Sequence, residues 1–164
     1  MKTNKTLIAV AALNIVLGQA VIACAGDKPA TPAASPATQP AQPVVRTKSK
    51  AGAKVFIIEP KNGAAVSNPI TVKFGAEGIV LGKAADGIKE NNGHHHLLVD
   101  VDTLPPLDQP LPSDEHVLHF GQAQTETSIN LTPGKHTLQL LVGDAKHVPL
   151  DPSVMSPKIT ITVK

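Results

Sequence analysis

The chain has 164 residues, 41% hydrophobic and 17% charged, enough for one modest core once non-globular ends are set aside. Its formal charge of +2 hides an asymmetry: residues 24–53 carry +3, from Lys28, Arg46, Lys48 and Lys50 against Asp27, whereas residues 54–164 hold nine lysines against twelve acids. A mildly acidic domain argues against a nucleic-acid partner, and a single cysteine excludes a structural disulfide; three phenylalanines with no Tyr or Trp disfavour the aromatic platforms that bind sugars.

The first element is an export signal over residues 1–23. Lys2 and Lys5 give a basic start, and TLIAVAALNIVLGQAVIA is an apolar run interrupted by Asn14, Gly18 and Gln19, too polar for a permanent span. Val21-Ile22-Ala23-Cys24 resembles a lipobox, which makes Cys24 the expected lipidation site and the mature N-terminus. The alternative uses Ala23-Cys24-Ala25 as an ordinary cleavage site and releases a soluble periplasmic protein. Acylation of Cys24 by more than one chain would hold the protein stably on the membrane, facing the periplasm or the cell surface.

Residues 24–53 place prolines at 29, 32, 36, 40 and 43 among Ala, Thr, Ser and Gln, the composition of a disordered tether. From Lys54 onward the pattern is one of short strands: VFII (55–58), PITVKFGA (69–76), HHHLLVDVD (94–102), HVLHF (116–120), TSINL (127–131), HTLQLLV (136–142) and KITITV (158–163). Turns are expected at Asn62-Gly63, Asp86-Gly87, Asn92-Gly93, Pro133-Gly134 and Gly143-Asp144. About seven strands predict an all-β fold, an immunoglobulin-like antiparallel β-sandwich, with a small β-barrel as the alternative. Alternation assigns His136, Leu138, Leu140 and Val142 to one core face, and Ile159, Ile161 and Val163 to another. LPPLDQPLPSDE (104–115) is a stiff connection folded back over the sandwich, and a binding arm is the second reading of it.

With the strands laid out, VFIIEPKNGAAVSNPITVKFG, GHHHLLVDVDTLPPLDQPLPSDEHVLHFG, LTPGKHTLQLLVGDAKHVP and SPKITITV together resemble the bacterial exported family known as domain of unknown function 4399. The resemblance implies an envelope β-domain and no assigned activity. Where the family pattern has a second histidine after His147-Val148-Pro149, this chain has Leu150.

All seven histidines lie between 94 and 147. The pleat puts His94 and His96 on one face of their strand and His95 on the core face with Leu97 and Val99. If the strands at 94–102 and 136–142 pair antiparallel, the start of the first lies beside the turn carrying His147, and a return strand at 116–120 brings His119 to the same end. His94, His95, His96, His119 and His147 are therefore the candidate metal ligands, with His95 beneath the others. Imidazole without thiolate points to Cu(II) or Zn(II); the competing reading has these rings capping strand ends and bonding carbonyls. His116 and His136 are expected to be structural. Acids at 100, 102, 108, 114 and 115 lack calcium-loop spacing, and no nucleophile elbow accompanies Ser113 or Ser128, so no enzyme is expected. The expected protein is an envelope-anchored metal carrier, buffer or sensor, or else a non-metal module that docks an envelope protein.

Overall fold

Strands with one apolar face can bury it only against another layer. The computed structural model, which describes residues 44–164, packs nine strands into two sheets. In order they are β1 (Lys54–Glu59), β2 (Ala65–Val66), β3 (Ile70–Glu77), β4 (Val80–Leu81), β5 (Asn92–Val99), β6 (Val117–Phe120), β7 (Glu126–Ile129), β8 (Gly134–Gly143) and β9 (Ile159–Val163). The smaller sheet runs β1-β3-β7; the larger runs β2-β9-β8-β5-β4, with β6 also on β5. Without the two-residue strands β2 and β4, these are the A-B-E and G-F-C-C′ halves of an immunoglobulin-like β-sandwich, with β6 as C′ beside β5. The sheets are open and form no barrel among the described residues.

The alternation predicts the core correctly. Val55, Ile70, Val72 and Phe74 of the small sheet meet Leu97, Val99, Leu138, Leu140, Val142, Ile161 and Val163 of the large one, all buried. Each such aliphatic side chain contributes about 1.5–3 kcal/mol by leaving water. A second cluster lies on the outer face of the large sheet, where Leu98, Val117 and Leu141 are covered by Leu111, with Leu104 and Leu107 beside it. This is what the proline-rich connection does: it covers the outer face, so that β5 is buried on both sides.

Four expectations need correction. The signal, Cys24 and the early tether lie outside the described residues, but the tether does not run free to Ala53: Asp151 N donates to Thr47 O at 2.9 Å and Ser49 N to Asp151 O at 3.0 Å. Asn92-Gly93 and Gly143-Asp144 are not turns at their glycines, because Gly93 and Gly143 lie within β5 and β8. A Cβ on Gly93 would sit 2.6 Å from Gly143 O, so glycine serves close approach there, and the left-handed residue is Asn91 at φ 52°. The strand expected to reach Asp102 ends at Val99, where Asp100 takes φ 55°. Finally, the sandwich is not wholly antiparallel, since β2–β9 and β4–β5 pair in parallel.

Candidate metal centre

Register creates the site. β5 pairs antiparallel with β8 so that His94 lies opposite Gly143 and His96 opposite Leu141, while β6 sets His119 opposite His96. The pleat sends His94 and His96 to the outer face, and His147 reaches them from the loop after β8. Ring centroids are 4.8 Å apart for His94–His119, 4.7 Å for His119–His147 and 5.2 Å for His94–His147. His96 lies beside them, 4.8 Å from His94 and 5.2 Å from His119. His95 is not brought to this group. It points into the core, its ring 5.2 Å from Phe74, as the pleat requires.

Three nitrogens converge. His119 Nε2 is 3.0 Å from His94 Nε2 and 3.2 Å from His147 Nε2, and one nitrogen from each ring fits within a mutual distance of 4.8 Å. A ring nitrogen has one in-plane position, either a proton or a lone pair, so His119 Nε2 cannot make two good hydrogen bonds at once. A cation can use all three lone pairs together. Tetrahedral coordination with metal–nitrogen bonds of 2.0–2.1 Å separates neighbouring nitrogens by about 3.3 Å, close to the two spacings observed.

Burial and the neighbouring imidazoles favour the neutral form of His94, His96 and His119. Burial, then the neighbouring His119 and His147, lowers His94 to about 4, with Asp144 opposing. Burial followed by the other three imidazoles lowers His96 to about 3. His119 is also lowered, first by desolvation and then by His147. Both nitrogens of His96 lack a hydrogen-bond partner among the described residues, as do those of His95, which burial lowers to about 4. His94 and His96 are buried, His147 is half-buried and His119 is exposed, so the nitrogen cluster has a closed floor and an open side.

Two glycines make room for the rings. A Cβ on Gly121 would fall 2.4 Å from His119 Cε1, and one on Gly143 would fall 2.8 Å from His96 Cε1 and 3.2 Å from His147 Cα. His147 itself stands at φ 66°, a left-handed conformation uncommon for a side chain of this size. The buried Asp144 holds that turn, its Oδ1 accepting from Lys146 N at 2.8 Å and Val148 N at 3.1 Å. From the other side, Leu111 N of the proline-rich connection donates to His147 O at 2.9 Å.

A family model, Domain of unknown function (DUF4399), matches residues 72–164. The chain belongs to this family. The DUF4399 match takes in β5, β6 and β8, with His94, His96, His119 and His147, and leaves out β1 and the residues before it. No curated protein and no solved structure matches the chain.

Sequence reasoning assigns Asp144 a place only in the expected turn with Gly143, and assigns Gly121 and Thr47 no role in the site. Gly-Asp three residues before His147 carries a signal, because aspartate commonly bonds the backbone two residues on in a turn. Thr47 carries none, because Asp144 lies 97 positions away along the chain, and Gly121 carries none because the clearance it gives the His119 ring depends on where that ring points, which the sequence does not state.

Proposed function

We propose that this domain binds a divalent transition metal, Cu(II) or Zn(II), through His94, His119 and His147, with His96 forming the wall behind them. The observation that carries the reading is His119 Nε2, which faces two other imidazole nitrogens at 3.0 and 3.2 Å and can satisfy only one of them with a proton. The donor set is nitrogen throughout, which suits these borderline ions better than Cu(I). The open side at His119 gives an ion a way in and out, as a carrier, buffer or sensor requires.

Three-imidazole sites also occur in hydrolytic enzymes, which add a group that moves the proton of a bound water. The carboxylate that acts on His94 is that of Asp144, and it is committed to Thr47 and to two backbone amides. Binding is therefore the reading we favour over catalysis. The rival, a docking module using the proline-rich arm, is less well supported because Leu111, with Leu104 and Leu107, already packs on the sheet. We further propose that Cys24 carries the lipid that anchors the protein in the envelope. Mass spectrometry should find an acylated Cys24; a mature chain starting at Gly26 would refute it.

Calorimetric titration of the untagged full chain tests the metal. We expect Cu(II) or Zn(II) to bind tighter than about 10 µM, equivalent to about 7 kcal/mol. If neither does, or if His94→Ala, His119→Ala and His147→Ala together leave binding unchanged, the metal reading is lost.

A further inference from the structure

The turn that presents His147 is held from a segment that composition assigns to the tether. Thr47 is only 7% exposed, and its Oγ1 donates to Asp144 Oδ2 at 2.6 Å. The other oxygen of that carboxylate accepts the amides of Lys146 and Val148, the two neighbours of His147. One buried carboxylate thus joins the upstream segment to the ligand turn. The flanking residues tie down the rest of the same loop: Arg46 Nε donates to Pro149 O at 2.9 Å, Arg46 Nη2 to Ser153 Oγ at 2.6 Å and also to Leu150 O, and Lys48 Nζ pairs with Asp151. A passive exit from the sandwich needs no buried hydroxyl on a buried carboxylate.

We infer that residues 46–49 are a working part of the metal centre, with Thr47, acting through Asp144, as a positioning residue for His147; this rests on the metal reading above. The strap lies outside the residues matched by the family model. Groups that orient a ligand from one layer out commonly change metal affinity by about 10–100-fold when removed. Thr47 differs from them in acting on the ligand's backbone turn, which fixes where the imidazole starts from. The same stretch of chain leads back toward Cys24, so a protein held by its N-terminus would be held through the strap that steadies one of its ligands.

The test compares Thr47→Val, which keeps the shape and removes the hydroxyl, with Thr47→Ser, which restores it, both in the full chain. Thr47→Val should weaken Cu(II) binding by about 10–100-fold in chelator competition. It should also alter the nitrogen hyperfine pattern in the Cu(II) electron paramagnetic resonance spectrum. In the metal-free chain, it should speed hydrogen exchange of the Lys146 and Val148 amides while leaving the interior of β8 protected. Thr47→Ser should return all three to wild type, and Thr47→Ala serves as the second hydroxyl-free variant if valine disturbs folding. Wild-type affinity and spectrum in a folded hydroxyl-free variant, or failure of serine to rescue, overturns the inference and leaves the metal reading standing. A wild-type chain that takes up no Cu(II) or Zn(II) defeats the metal reading first.

Discussion

The two ends of the β5–β8 pair use histidine in opposite ways. At the far end His136 is saturated: Nδ1 meets Asp100 Oδ2 at 2.7 Å and Nε2 meets Thr132 O at 2.8 Å, two acceptors that require both nitrogens to be protonated. His116 nearby donates Nδ1 to Val99 O at 2.9 Å. At the near end, the rings of His94, His119 and His147 turn their Nε2 atoms toward one another, and His96 meets no acceptor among the described residues. A histidine that fastens strands is given acceptors; the histidines proposed as ligands are given neighbours that compete for the same place.

Breaking that contrast at its centre should have the largest effect. His119→Ala should reduce Cu(II) or Zn(II) affinity by at least about 100-fold while changing stability by less than about 0.5 kcal/mol, since its ring is exposed. His136→Ala should do the reverse, leaving affinity unchanged and costing about 1–2 kcal/mol in urea denaturation through its lost hydrogen bonds. Equal effects of the two variants on affinity would erase the distinction between the ends.

A smaller effect is expected from Gly121→Ala, which adds one carbon 2.4 Å from His119 Cε1 and must displace the ring. Calorimetry should show affinity reduced by about 10-fold. His96→Leu should sharpen the comparison differently. It removes two buried nitrogens without partners, each of which costs stability, so the metal-free protein should melt about 4 °C higher for each kcal/mol recovered. Its metal affinity should fall by no more than about 10-fold, because His96 stands behind the converging nitrogens. A lower melting temperature would mean that the ring is better satisfied than its surroundings indicate.

How far each end was legible follows from what sets it. Strict alternation in HHHLLVDVD separated His94 and His96 from His95, and a two-sheet topology sufficed to bring His119 and His147 beside them, because strand neighbours follow from chain order. Residues whose role depends on non-local contact were not legible. Thr47 sits among lysines and serines that look like linker, and nothing local shows that Asp144, 97 positions later, accepts its hydroxyl. Alternation with Leu138 places His136 on the core face, and it does stand at the end of that row. The left-handed turn at Asp100, which brings the carboxylate to the ring, has no counterpart in the alternation.

The smallest predicted effect belongs to that pairing and depends on pH. His136 is raised above its ordinary value, chiefly by the Asp100 hydrogen bond, with burial opposing. Burial pushes Asp100 up, but the His136 and Thr137 hydrogen bonds outweigh it and the group is lowered overall. A histidine raised by folding stabilises the fold fully below its unfolded value of about 6.5 and ceases to do so as pH rises through its folded value; a carboxylate lowered by folding stabilises above about 3.9 and ceases to do so as pH falls through its folded value. The two contributions overlap between about pH 4 and 6.5. The stability difference between wild type and His136→Gln in urea should therefore be greatest near pH 5 and shrink toward pH 9, with the metal-free chain used throughout so that the other end contributes no metal linkage. A difference that grows with pH would mean that His136 is held neutral, and that the two ends do not differ in the way their hydrogen bonds require.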